Sequence, residues 1–191
     1  TQVMFVQPRG AAIATPDVFC NNEQLEVTAT AKYLGVIVDD QLSWRPHVDY
    51  VSRRTAQTIG QLWRHGRSLT LRARRSWYTS MVNSQLCYAS AAFYPSLTAQ
   101  LLDRLGKISK AGVRAVFQLP RQTPTAPLIS RLNISPLIHH FKLKIVVFVH
   151  RCLASNASML FSPFFLLIAE PGLEQSTRRV TRGQVSRLLQ I

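Results

Sequence analysis

The sequence predicts an α+β chain: a small antiparallel β-element over residues 1–44, then a mainly α-helical bundle over 45–155. Two observations carry this expectation. Apolar residues alternate with polar ones in the first forty positions, which is the period of a strand; after Trp44 they recur every three or four residues, which is the period of a helix. A hydrophobic content of 47% over 191 residues is enough to close a core.

Thr1–Pro8 and Gln24–Asp39 read as β-structure. Val3, Phe5 and Gln7 alternate with Met4 and Val6 up to the turn Pro8-Arg9-Gly10, and Leu25, Val27 and Ala29 alternate with polar neighbours. Tyr33–Val38 is a short buried-strand candidate. Val48, Val51, Thr55, Ile59 and Leu62 then define the core face of a first helix whose other face carries Arg53, Arg54, Gln57 and Arg64. Ser68-Leu69-Thr70 caps a second helix expected to reach Phe93, with Leu71, Tyr78, Met81, Gln85 and Ala89 inward, and Pro95 ends it. A third helix spans about 98–118, with Leu101, Leu105, Ile108, Gly112 and Val116 on one side and Arg104, Lys107, Lys110 and Arg114 on the other. Pro120–Pro127 is a loop, 126–132 a short helix, and 137–153 a strongly apolar helix expected to be central. Residues 156–191 read as a weakly structured basic extension.

Charge narrows the function. The chain carries +14, unevenly: residues 1–50 hold six carboxylates against three basic side chains, a net of −3, so the remainder carries +17. No Asp or Glu occurs between Val51 and Gln100. A fold does not require that imbalance, whereas a polyanion partner rewards it through counterion release. Cys20, Cys87 and Cys152 stand apart without metal-ligand spacing, so reduced, mostly buried thiols and an intracellular protein, nuclear or cytoplasmic, are expected. Neither Leu143–Val149 nor Met159–Ala169 approaches the roughly 20 apolar residues of a membrane span, and no membrane partner is expected.

One string is specific. Lys32-Tyr33-Leu34-Gly35-Val36-Ile37-Val38-Asp39, with Leu42-Ser43-Trp44 and Pro46-His47-Val48 after it, resembles the "YLG…D…LsW…H" block in reverse transcriptases of non-LTR retrotransposons, including the jockey-like elements. Thr1–Phe5 is similar to the strand that ends the palm in that family, and Pro120–Pro127 followed by Leu132–Leu137 is similar to a later "pr.tpt…L…lgi.pl" stretch. Ser176-Thr177-Arg178 resembles a further "y.TR" segment. The resemblance implies that residues 1–44 are the end of the palm and the primer grip, that 45–155 are the thumb, and that Tyr33, Leu34 and Gly35 sit at the grip. It also implies RNA and DNA partners in a template–primer duplex, with fingers and palm lying upstream in the same polyprotein. No cofactor is expected in this portion, and Mg2+ belongs with the complete polymerase.

Asp39-Asp40 follows an apolar run, as a polymerase aspartate pair does, but two-metal phosphoryl transfer needs a further carboxylate on a neighbouring strand. Asp17 lies in a turn-like segment and Asp49 opens a helix, so a turn or capping role is expected for Asp39 and no catalytic residue is assigned. The scattered histidines are expected to be satisfied surface or core residues. Binding is assigned to Arg53, Arg54, Arg64, Arg67, Arg72, Arg74 and Arg75, which crowd two helices and their joint, and to Arg104, Lys107, Lys110 and Arg114. Trp63, Trp77 and Tyr78 are assigned to the core first. Two other readings remain open: a stand-alone basic nucleic-acid-binding helical protein, and a non-functional transposon remnant.

Overall fold

The computed structural model describes residues 2–6 and 16–154. The chain divides into two compact units, residues 1–148 and 149–191; the account below concerns the first. The expectations for 156–191, including Ser176-Thr177-Arg178, lie outside the described residues.

The fold is mixed, mainly helical with a few small strand pairs. Gln2–Val3 (β1) pairs with Glu26–Val27 (β4), Phe19–Cys20 (β2) with Glu23–Gln24 (β3), and Thr30–Tyr33 (β5) with Val36–Asp39 (β6). The single antiparallel element expected is thus three separate pairs, and β1–β4 is parallel. Alternation identified extended chain but not its partners, because pairing depends on turns that the pattern does not encode.

The helices follow: Arg45–His65 (α1), a 3₁₀ turn at Gly66–Ser68, Leu71–Trp77 (α2), a π-turn at Tyr78–Asn83, and Ser84–Cys87 (α3). Ser90–Phe93 (α4), a second 3₁₀ turn at Tyr94–Ser96, Ala99–Phe117 (α5), Ala126–Leu132 (α6) and Leu137–Ala154 (α7) complete the order. The five residues expected on the core face of α1 are all buried. Thr70 and Thr98 cap α2 and α5, their hydroxyls accepting from Ala73 and Leu101 backbone N–H at 3.3 and 3.4 Å.

The second helix departs from expectation. It ends at Cys87, breaks where Ala89 takes φ 50°, and its inward residues are Tyr78, Val82 and Leu86, while Leu71 and Met81 are exposed. The cause is the π-turn: its wider i→i+5 ladder moves the buried repeat to every fourth residue, off the phase of an ideal α-helix. There α5 comes close, since a Cβ on Gly112 would lie 2.8 Å from the Tyr78 ring, whose hydroxyl hydrogen-bonds Ser109 Oγ at 2.9 Å.

α1 and α5 make the most extensive helix–helix contact. Phe93 is the aromatic hub, its centroid 6.3 Å from Trp44, 4.9 Å from His47 and 6.2 Å from Phe141. α7 is not central. Leu137 and Phe141 reach the core, but Ile138, Leu143 and Val147 are exposed. A helix apolar all round reads as buried, yet in this unit its buried residues are Leu137 and Phe141, while Ile145 and Val146 are half-buried. No single helix among the described residues is long and apolar enough to cross a membrane; α6 and α7 reach that length only as a pair bent by 53°.

The thiols differ from one another. Cys87 and Cys152 are buried, as expected for most of the thiols, and Cys20 is exposed; burial pushes the Cys87 thiol up to about 11. An alkylating reagent at pH 8 should therefore modify Cys20 in the native protein and Cys87 only in denaturant, read by peptide mass spectrometry. Equal native labelling of the two would contradict this packing.

Candidate nucleic-acid interface

The interface is built on the β5–β6 hairpin. Tyr33 pairs with Val36, leaving Leu34 and Gly35 as a two-residue turn with φ 47° and 81°. Two consecutive positive φ values give a turn whose twist matches the flanking strands. What sequence pattern offered as one buried strand is therefore two strands around an exposed tip, with Tyr33 72% and Leu34 73% exposed. Leucine is unusual at positive φ, and the Tyr88 hydroxyl fixes it by donating to the Leu34 carbonyl at 2.7 Å.

The base of the hairpin is locked from inside. Asp39 is buried, and its two carboxylate oxygens accept the Ser43 and Trp44 backbone N–H groups, each at 2.9 Å. These bonds close a loop in which Leu42 and Trp44 both take positive φ. Burial alone would raise the Asp39 carboxyl; hydrogen bonds from the Ser43 side chain and from the Ser43 and Trp44 backbone outweigh it and hold the group below its ordinary value. His47 Nδ1 accepts the Ile37 N–H at 3.3 Å, and burial lowers its pKa, keeping the ring neutral. Its Nε2 is buried without a hydrogen-bond partner among the described residues, so this histidine is only half satisfied.

Between the hairpin and α1 lies a cleft of about 840 Å³, lined by Thr30 and Ile37 on one side and Arg45, Tyr50, Arg53 and Arg54 on the other. A second hollow of about 430 Å³ shares Tyr50 and Arg54 and adds Lys32 and Tyr88. Lys32 Nζ sits 5.0 Å above the Tyr50 ring, and Arg54 donates to the Tyr50 hydroxyl at 3.2 Å. The Arg54 hydrogen bond, then the Lys32 and Arg54 charges, lower the Tyr50 phenol. Among the described residues Asp49 is the one carboxylate lining the cleft, and its charge is paired with Arg104. Together the two hollows present four cations beside the half-buried Tyr50 and the exposed Tyr88, an arrangement that fits a nucleic-acid backbone.

No protein-family model, no curated protein and no solved structure matches this chain.

The remaining residues assigned from sequence divide into several groups. Arg53 and Arg54 line the cleft, while Arg64 lies about 15 Å further along α1, with Arg67 on the following turn. Arg72 is exposed on α2. Arg74 is half-buried with its Nε lacking a partner, and Arg75 Nε donates to the Leu132 carbonyl at 2.9 Å, tying α2 to α6. Lys107 pairs with Asp103 at 2.7 Å, Arg114 Nε donates to the Thr123 carbonyl at 2.8 Å, and Lys110 is exposed. Lys32, Arg45, Tyr50 and Tyr88 were missed. Tyr50 and Arg54 are four apart on one helix face, a legible signal; Tyr88 lies 54 residues from Leu34 and gives none.

Asp39-Asp40 does not fit a two-metal centre, because both Asp39 oxygens are committed to backbone N–H groups and, among the described residues, no third carboxylate joins the pair. Among the described residues no three His, Cys, Asp or Glu side chains are placed to hold a metal. Asp49 stands one turn inside α1 rather than at its start.

Proposed function

We propose that this chain is the primer-grip and thumb portion of a non-LTR retrotransposon reverse transcriptase, an intracellular protein that binds the template–primer duplex through its backbone. Fingers, palm, catalytic aspartates and Mg2+ belong to the upstream part of the polyprotein, so the chain does not polymerise alone. The observation that carries this reading is the pair of adjoining hollows between the hairpin and α1, where Arg45, Arg53 and Arg54 line one, Lys32 and Arg54 the other, and the carboxylate of the first is neutralised by Arg104. The hairpin turn falls on the Tyr33-Leu34-Gly35 string that carries the resemblance.

The test is binding of a labelled RNA–DNA hybrid across a salt series, with a Lys32→Ala/Arg53→Ala/Arg54→Ala variant and, separately, Arg72→Ala/Arg74→Ala/Arg75→Ala. Each lost phosphate contact should flatten the slope of log K against log salt by about 0.9, so the cleft variant should lose a slope of about 2–3 and roughly 100-fold in affinity. The second variant should also lose stability, since Arg74 and Arg75 are built into the helix packing. No binding at low salt, or a slope indifferent to the cleft residues, would remove the proposal.

One observation favours a second reading over a remnant: Val48, Leu62, Leu86, Phe93, Leu105 and Val116 are each at most 1% exposed, a core that a stand-alone binding protein would need. A non-functional remnant predicts neither cooperative unfolding nor binding.

A further inference from the structure

Where α1 packs on α5, on a surface that shares no residue with the hairpin cleft, Trp63 borders a concavity of about 590 Å³. Ile108 and Leu119 form its apolar floor, and Lys107, Lys110 and Arg121 its rim, with no carboxylate in the lining among the described residues. Trp63 is 38% exposed, so the indole assigned to the core from sequence is instead open to solvent amid cations. A tryptophan that only filled core would be covered, and a solvated helix face would mix charges; an open ring inside a cationic rim is the arrangement that stacks a base and holds its phosphates. Lys110 and Arg121 make no ion pair among the described residues. Arg114, also at this site, is held by its Nε bond to Thr123, which fixes the guanidinium at the edge of the hollow.

The path between the two sites is marked. A shallow depression of about 390 Å³ contains Arg45 and Asp49 of the cleft and Lys107 of the rim, and its carboxylates Asp49 and Asp103 are paired with Arg104 and Lys107. Trp63 lies about 27 Å from Arg45 along α1, about eight steps of a duplex strand at 3.4 Å each. A strand held at the cleft would meet Trp63 only after leaving it.

We propose that the Trp63 concavity is a second nucleic-acid site, one for an unpaired nucleotide: the base stacks on Trp63 over Ile108 and Leu119, and the flanking phosphates sit on Lys110 and Arg121. The site deepens the proposed function and rests on it for the origin of the strand, a single-stranded extension continuous with the duplex in the cleft.

The test uses the full chain with three probes: a short oligouridine, a blunt RNA–DNA hybrid, and the same hybrid with a single-stranded RNA extension. Trp63→Leu should weaken oligouridine binding about tenfold and abolish the advantage of the extended hybrid over the blunt one, while blunt-hybrid affinity stays unchanged. Trp63→Phe keeps a stacking ring and should retain most of the affinity. Lys110→Ala/Arg121→Ala should flatten the oligouridine salt slope by about one. Unchanged circular dichroism and melting temperature of the variants keep these comparisons meaningful. Oligouridine binding indifferent to Trp63, equal loss on oligouridine and blunt hybrid, or no oligouridine binding by the wild-type chain would each overturn the proposal. If the blunt hybrid fails to bind but Trp63-dependent oligouridine binding persists, the cleft reading falls and the unpaired-nucleotide site stands.

Discussion

Replacing Phe93 by alanine should cost about 3–5 kcal/mol of folding free energy, the range for truncating a buried phenylalanine in a core that cannot collapse around the cavity. The ring is 1% exposed and contacts rings from three elements: Trp44 ahead of α1, His47 inside it and Phe141 of α7. None of these is free to refill the space. The Trp44 backbone is held by the Asp39 carboxylate, and the His47 ring by its bond to the Ile37 N–H. A domain of this size has roughly 5–15 kcal/mol in total, so the variant should lose much of its margin. Urea unfolding at 25 °C measures this, with Phe93→Leu as the graded control, expected to cost less than half as much. Because His47 joins the ring to the hairpin, the alanine variant should also bind the RNA–DNA hybrid more weakly at urea concentrations where the helices still give their circular dichroism. A shift below 1 kcal/mol would show that Phe93 is not the hub.

The legibility of this fold followed the range of the interaction that built each part. α1 and α5 were readable because a long amphipathic helix states its buried face in its own spacing; Val48, Val51, Thr55, Ile59 and Leu62 are all inward. The run from Leu71 to Phe93 was not. Its phase is set by a π-turn that accommodates the close approach of Gly112 to Tyr78, a contact over 34 positions. α7 failed for the opposite reason: its composition specifies apolarity without a direction, so nothing in 137–148 distinguishes a central helix from one that buries Leu137 and Phe141 and leaves Ile138, Leu143 and Val147 exposed.

The candidate site shows the same division. The arginines of α1 were legible as a basic face, whereas the Leu34-Gly35 turn was hidden in what the pattern read as one strand. Their assembly with Lys32 around Tyr50 depends on the hairpin folding back over α1, which is fixed by Tyr88, His47 and Asp39. Counting charge marked a basic segment but could not separate Arg53 and Arg54, which line a cleft, from Arg75, whose Nε serves the packing of α2 on α6. Trp63 was assigned inward by residue type, since tryptophan is usually buried; only the packing of α1 on α5 shows that its edge is left open.

Asp39→Asn should destabilise the protein by about 2–4 kcal/mol at pH 7, because two charge-assisted bonds are replaced by one neutral bond and one donor–donor contact. The amide is nearly isosteric, so the loss reports hydrogen bonding rather than shape. It also frees a loop that keeps Leu42 and Trp44 at positive φ, a conformation costly for bulky residues unless their surroundings impose it. The pH dependence makes the assignment specific. The folded-state pKa of Asp39 lies below its unfolded value, so its contribution is complete above about pH 4 and is lost as pH falls through the lower, folded value. His47, and His140 with it, are lowered by burial, so their contribution is present above about pH 6.5 and declines as pH falls toward their folded values. Acid should therefore weaken the wild-type fold in two windows. Urea midpoints from pH 7 to pH 3 should show the first window in both proteins and the second diminished in Asp39→Asn, with the gap between them closing below pH 4. A gap that stays constant down to pH 3 would mean that the Asp39 carboxylate does not hold the hairpin to α1.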